Sequence, residues 1–194
     1  MRLVLGTKNP GKLRELFELA KDLPNLKLEL APPEFNPIEN GSTFAENALI
    51  KAKEAARLSS CLSLGEDSGI AVDALGGRPG ILSARYCDGS DHDRLTKLVS
   101  KMTDISEGKR GAAYHCAMAL VSADGKALYQ AEGIWRGEII LEERGNNGFG
   151  YDPVFYLPAR KNTVAELTTP EKNKLSHRAQ AWHKIAEYLA KLIA

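Results

Sequence analysis

Apolar positions along the chain recur sometimes every second residue and sometimes every third or fourth, so strands and helices can be marked out from spacing alone. Leu3-Val4-Leu5 reads as a buried strand, and after a loop at residues 6–12 the positions Leu13, Leu16, Phe17 and Ala20 mark the buried face of a helix. Asn9 suits its N-cap and Pro10 its first position. Residues 26–30 alternate as a second strand, and Pro32-Pro33-Glu34-Phe35-Asn36-Pro37 opens a loop ending at Ile38-Glu39-Asn40-Gly41. Thr43-Phe44-Ala45-Glu46 fits a capping box, which gives Glu46 a structural task. The helix it opens carries a stripe of Ala45, Ala48, Leu49, Ala52, Ala55 and Ala56, small enough for close packing on a sheet.

The second half continues in the same way. Residues 91–102 form an amphipathic helix carrying Leu95, Leu98, Val99 and Met102. Residues 112–123 and 127–141 read as two long strands joined at the hairpin signal Asp124-Gly125, with bulges or bends expected at Gly133 and Gly137. Val154-Phe155-Tyr156 is a short strand, and Ser176 caps a closing helix with the stripe Trp182, Ile185, Ala186, Leu189 and Ile193.

Polar residues that interrupt these runs carry the candidate chemistry. Gly65-Glu66-Asp67-Ser68-Gly69 sets two carboxylates between apolar runs, at the interior end of a strand, where unpaired charge is costly. A divalent cation would compensate them, since hard cations take oxygen ligands; the competing reading is a tight turn. At residues 6–12 a strand, a Gly-bearing loop and a helix N-terminus make an anion site. The spacing mimics GxxxxGK, but Leu13 stands where Ser or Thr would bind magnesium, so a metal has to be held elsewhere. A plain capped helix start is the alternative, and it leaves Thr7, Lys8 and Lys12 unexplained. Lys51 shares a helix face with Asn47 and Glu54 and either reaches a phosphate or is solvated; Arg85 is a second phosphate candidate.

Residues 145–153 interleave Phe149, Tyr151 and Asp152 with glycines. That suits a pocket where a planar base stacks on a ring, worth ~1–3 kcal/mol per base, or else a surface loop with Phe149 tucked into the core. His177 and Arg178 fall in the first turn of the closing helix, where cations need a compensating anion or hydrogen-bonding ligand. His115 reads as a satisfied sheet histidine and His183 as surface.

At 194 residues the chain is expected to form one domain, residues 1–194. Its 26 basic and 25 acidic residues leave a net charge of +1, which argues against a nucleic-acid partner and requires any anionic ligand to be handled locally. Cys61, Cys87 and Cys116 form no CxxC pair, so neither a disulfide framework nor a zinc site is supported and a cytoplasmic setting is expected. Met1-Arg2 leads straight into an apolar strand too short for a signal peptide, and no run approaches the ~20 apolar residues of a membrane span.

Six segments together are more specific than any one. They are Thr7-Lys8-Asn9-Pro10-Gly11-Lys12; Gly41-Ser42-Thr43-Phe44-Ala45-Glu46-Asn47-Ala48 with Lys51-Ala52; Glu66-Asp67-Ser68-Gly69; Gly80 with Ser83-Ala84-Arg85-Tyr86; Phe149-Gly150-Tyr151-Asp152-Pro153; and Glu171-Lys172 with Ser176-His177-Arg178-Ala179. In this order, over nearly the whole length, the chain resembles the inosine/xanthosine triphosphate pyrophosphatase family. These RdgB-like enzymes hydrolyse non-standard purine nucleoside triphosphates.

The resemblance implies an α/β fold, a long curved mixed β-sheet flanked by helices, with two lobes, an active-site cleft between them, and a homodimer. It implies hydrolysis of ITP, dITP and XTP to the monophosphate and pyrophosphate, which keeps them out of DNA and RNA. Asp67 is implied as the catalytic proton acceptor, with Glu39 and Asp67 holding Mg2+. Thr7, Lys8, Asn9, Pro10, Gly11, Lys12, Lys51 and Ser68 are implied around the triphosphate and sugar, with Arg85 near the phosphates. Phe149, Gly150, Tyr151, Asp152, Lys172, His177 and Arg178 are implied at the nucleotide, the last two beside the base. Donors to a purine 6-oxo group disfavour the adenine amine, by up to ~10⁴–10⁵ in the best cases.

Lys8 stands where many relatives have Gly, Glu66 where Asp is frequent, and Asn146-Asn147 where Thr-Gly is commoner; none removes a catalytic group. A phosphotransferase built on residues 6–12 is opposed by Leu13, and a non-catalytic binder would not need Glu39, Glu66 and Asp67.

Overall fold

The structure, a computed structural model, describes residues 1–193 except the side chain of Ile193, so that member of the expected apolar stripe and Ala194 lie outside the description. Seven strands form one mixed sheet: β1 (Arg2–Gly6), β2 (Lys27–Leu30), β3 (Ser63–Val72), β4 (Gly111–Val121), β5 (Ala127–Ile139), β6 (Phe155–Leu157) and β7 (Asn162–Thr163), in the order β2-β1-β3-β4-β5-β6-β7. β1 pairs parallel with β2 and β3, and β6 pairs antiparallel with β5 and β7. Five α-helices join them: α1 (Pro10–Leu19), α2 (Phe44–Ser59), α3 (Asp91–Ser100), α4 (Thr169–Leu175) and α5 (His177–Ile193). No described helix is long and apolar enough to cross a membrane.

The chain divides into two compact units, one of residues 1–67, 116–133 and 177 onward, the other of residues 68–115 and 134–176. In the first, Leu3, Leu5, Leu64, Met118 and Leu120 pack with Leu16 and Leu19 of α1 and with Trp182, Ile185 and Leu189 of α5. Residues of opposite parity, Ala117, Ala119 and Val121, meet Ala48, Ala52 and Ala56 of α2. Helices on both faces explain why these strands read as continuous apolar runs. In the second unit Ile70, Val72, Tyr114, Ile139 and Phe155 pack with Leu95 and Leu98 of α3.

Several local expectations are revised. The stretch at residues 65–69 is neither a turn nor a strand end, because β3 runs through it without a break. The charges are tolerated there because each carboxylate meets cations from a flanking helix. Phe17 is 42% exposed, and the buried face of α1 is Gly11, Glu15, Leu16 and Leu19, rotated so that Glu15 points inward. The Glu46 carboxylate reaches back past Thr43 to accept from Ser42 N at 2.6 Å, while Thr43 Oγ1 accepts from Glu46 N at 3.1 Å. Gly133 and Gly137 mark close approaches: a Cβ would overlap His177 O at the first and the Phe155 ring and Tyr156 O at the second. Residues 169–175, read only as polar motifs, form α4, capped by Thr168 with Glu171.

Close packing of α2 on the sheet depends on two glycines. A Cβ on Gly65 would overlap the Ala48 carbonyl oxygen and the Ala52 amide nitrogen, and one on Gly6 would lie 2.9 Å from Lys51 O. Main-chain obstacles cannot rotate away. Gly65→Ala is therefore expected to destabilise the fold by about 3 kcal/mol or more, read as a lowered midpoint in denaturant unfolding.

Candidate active site

One cluster lies on the α2 side of β3. Asn47 and Lys51, one helical turn apart, are both buried and reach the Asp67 carboxylate, which is 5% exposed. Lys51 Nζ lies 2.7 Å from Asp67 Oδ1 and 3.0 Å from Glu39 Oε1, and donates to Glu66 O at 3.2 Å. Asn47 Nδ2 donates to Asp67 Oδ2 at 3.3 Å, and Asn47 Oδ1 accepts from Gly41 N at 2.9 Å, tying in the loop that carries Glu39. Burial pushes the Asp67 carboxyl above its ordinary value, against the opposing pull of Lys51 and Lys12. Burial alone would lower the Lys51 ammonium, but Asp67, Glu66 and Glu39 outweigh it and raise it.

A second cluster occupies the opposite face. Glu66, 1% exposed, pairs with Lys12 at 2.8 Å and with Arg178 at 3.2 Å, and accepts from the Cys116 thiol at 3.3 Å. Arg178 also makes a short ion pair with Glu15. Burial would raise the Glu66 carboxyl, yet Lys12 and Arg178 hold it well below the usual carboxylate range. Burial and the adjacent Glu66 push the Cys116 thiol well up. At the start of α1, Asn9 Oδ1 accepts from Lys12 N at 3.0 Å and Thr7 Oγ1 from Asn9 N at 3.2 Å. Pro10 occupies the first helical turn and Gly11 is buried.

The second unit holds a third cluster. Asp152, 2% exposed, accepts at Oδ2 from Phe149 N at 2.9 Å and from Lys172 Nζ at 2.5 Å, and at Oδ1 from the Tyr114 hydroxyl at 3.0 Å. Lys172 Nζ lies 5.0 Å from the Phe149 ring centroid. Tyr151 donates to Ser83 O at 2.8 Å, and burial pushes its phenol up. Gly150 adopts φ 63°. Phe149 is half-buried and therefore not tucked into the core.

The residues singled out by sequence thus fall into distinct places. Glu39, Lys51 and Asp67 meet; Lys12 and Arg178 meet on Glu66; Phe149, Asp152 and Lys172 meet. Lys8 turns to Pro33 O at 3.0 Å, Ser68 is half-buried on β3, and Arg85 is exposed at the end of a 3-10 turn, Gly80–Arg85. His177 is buried as the first residue of α5. Anions do compensate the Arg178 charge in that first turn, but they are side chains of the protein, Glu15 and Glu66. Glu15 and Tyr114 were not anticipated. The one sign of Glu15 was its i,i+4 spacing with Gly11 and Leu19, whereas Tyr114 in an apolar strand reads as core.

Among the described residues no group of three or more His, Cys, Asp or Glu is placed to hold a metal. Magnesium asks for less, because it is usually bound through one or two carboxylates together with substrate phosphates and water. Glu39 and Asp67, converging on one Lys51 ammonium, fit that donor set.

A family model described as the Ham1 family matches residues 3–188. The chain belongs to the Ham1 family. This Ham1-family chain is 47% identical over 182 residues to a Pseudomonas aeruginosa protein named dITP/XTP pyrophosphatase, covering 93% of this chain and 92% of that one. A Geobacillus kaustophilus protein of the same name is 44% identical over 195 residues, covering 98% and 95%. The solved structure of a HAM1 protein from Coxiella burnetii matches with a TM-score of 0.86 at 39% identity, covering 98% of this chain and 99% of that one. The Staphylococcus aureus Ham1 protein matches with the same TM-score at 33% identity, with the same coverage. The resemblance read from the motifs and the α/β class, a mixed sheet flanked by helices, are both borne out.

A depressed carboxyl stabilises the fold above its unfolded value and loses that contribution as pH falls toward its folded one. For Glu66 the loss begins below about 4.5. Thermal unfolding followed by circular dichroism is therefore expected to show a midpoint that drops below that pH. In Glu66→Gln this component of the acid slope disappears, and neutral-pH stability falls by about 3 kcal/mol, because a buried pair has lost one partner.

Proposed function

We propose that this chain is a nucleoside-triphosphate pyrophosphatase that hydrolyses non-standard purine nucleoside triphosphates, dITP, XTP and ITP, to the monophosphate and pyrophosphate. By removing them from the nucleotide pool it keeps them out of DNA and RNA. The observation that carries the reading is the buried Asp67 carboxylate held 2.7 Å from a Lys51 ammonium that also meets Glu39. Family membership and relatives named dITP/XTP pyrophosphatase support it.

In this reading Asp67 accepts a proton from the water whose oxygen attacks the α-phosphorus. The bond from that phosphorus to the oxygen bridging to the β-phosphorus breaks, and pyrophosphate leaves with the bridging oxygen. Burial raises the proton affinity of Asp67, which suits a base. Lys51 and Asn47 fix the orientation of its carboxylate. Glu39 and Asp67 would hold Mg2+, which supplies charge neutralisation of the triphosphate and orientation of the leaving pyrophosphate. Thr7, Lys8, Asn9, Pro10, Gly11 and Lys12 at the start of α1, with Lys51, Ser68 and Arg85, receive the phosphates and sugar, as free N–H groups and cations suit an anion.

Phe149, Gly150, Tyr151, Asp152, Lys172, His177 and Arg178 serve the nucleotide end, with His177 and Arg178 as donors toward the 6-oxo group. The functional form is a cytoplasmic homodimer of single-domain chains.

A pyrophosphate-release assay with dITP, XTP, ITP, ATP and GTP, run with and without magnesium, tests the reading. Turnover of the first three only with magnesium, and little of ATP or GTP, is expected. Release of orthophosphate, or binding without turnover, overturns it. Asp67→Asn is expected to keep the fold and lose ~10²–10⁴ in kcat; wild-type turnover in that variant removes Asp67 from the role of base.

A further inference from the structure

We propose that Tyr114 is a positioning residue for the base end of the site, acting through Asp152; the inference rests on the nucleotide role given above to Phe149, Asp152 and Lys172. Tyr114 lies on β4, and its ring packs 4.3 Å from the Phe155 ring, tilted by 31°, in the core of the second unit. A sheet residue clamped in this way has a hydroxyl at a fixed point. That hydroxyl meets Asp152 Oδ1 at 3.0 Å. The other oxygen, Oδ2, accepts from Phe149 N and Lys172 Nζ.

The terminal torsion of an aspartate is broad and roughly two-fold, so the angle of the carboxylate is set by the donors that it meets. A partial turn of the carboxylate would carry Oδ2 away from both the Phe149 main chain and the Lys172 ammonium. A donor on Oδ1 that is anchored in the sheet prevents this. The segment under control needs such an anchor, since Gly148 at φ 77° and Gly150 at φ 63° flank Phe149 with little backbone restriction of their own. Gly148 also packs so closely on Asp152 that a Cβ there would overlap Oδ2. Tyr114 thus carries the rigidity of β4 through one carboxylate to an aromatic ring and an ammonium that lie 5.0 Å apart. A phenylalanine at this position would supply the same ring packing, so the hydroxyl is the part that acts on the site.

Tyr114→Phe is the direct test because it removes one oxygen. With dITP the KM is expected to rise about three- to tenfold, the scale of one ordinary hydrogen bond felt indirectly through Asp152, while kcat stays within about twofold. Inhibition by inorganic tripolyphosphate, which has no base to be recognised, is expected to be unchanged. In the free protein the Phe149 amide resonance, whose proton is donated to Asp152, is expected to shift and broaden. Unchanged KM together with an unchanged Phe149 amide overturns the proposal. Equal losses in kcat and in tripolyphosphate inhibition also overturn it, because they mark a general structural defect. Failure of the wild-type protein to release pyrophosphate from any of the non-standard triphosphates counts against the proposed function instead. The Phe149 amide then still decides whether Tyr114 governs Asp152.

Discussion

Two carboxylates that follow one another on β3 point to opposite faces of the sheet, and the charge layout of the first unit depends on that alternation. Glu66 shares its side with α1 and α5, where Lys12 and Arg178 meet it; Asp67 shares its side with α2, where Lys51 and Asn47 meet it. A slip of one residue in the register of β3 would exchange every partner and bury each carboxylate among the wrong groups. The observed register with β1, Leu5 opposite Leu64 and Gly6 opposite Gly65, is therefore selected by electrostatics as well as by apolar packing. The same alternation separates two electrostatic characters. Three cations offset the burial of Glu66 and keep it ionised, while at Asp67 burial prevails and the proton is held more readily.

Helix α2 can supply Lys51 at the right depth only because its contact surface is small. Ala48, Ala52, Ala55 and Ala56 are fully buried, and Gly6 and Gly65 present no side chain to its main chain. The Lys51 side chain is buried, and its ammonium reaches two carboxylates. An ordinary amphipathic helix with Leu or Ile on that face would stand further off the sheet and leave Asp67 without a partner of this length. Packing and site chemistry are one constraint at this place.

Much of this was legible because spacing encodes it. The strands at β1 and β4, the Asn9 cap, the alanine stripe of α2 and the tight turn at Asp124-Gly125 follow from local periodicity and turn chemistry. The continuity of β3 through Gly65-Glu66-Asp67-Ser68-Gly69 was not legible, because local rules assign turns to such residues and only distant cations reverse the preference. Phe17 was misplaced for a related reason. One turn of α1 has room inward for either Phe17 or Glu15, and Arg178, far along the chain, decides for the carboxylate. Local spacing leaves Lys51 open to a solvated or a phosphate-facing role, since its partners Glu39 and Asp67 lie outside its own helix. The bonds of Asp152 to Tyr114 and of Glu66 to Cys116 were not legible, because they join segments that no local window contains.

The Glu15–Arg178 ion pair closes a separation of 163 residues, and Glu66–Arg178 closes 112. On the ribosome, both glutamates and most of the apolar strands around them emerge well before Arg178 is made. Until then the inward face lacks the cation that Glu15 and Glu66 share, and Trp182, Ile185 and Leu189, which pack in that core, are also still to come. The charge balance and the apolar cover of this core thus both depend on α5. Arg178 therefore makes α5 the element that completes the charge balance of this core, and removing that helix takes away the one cation that the two glutamates share.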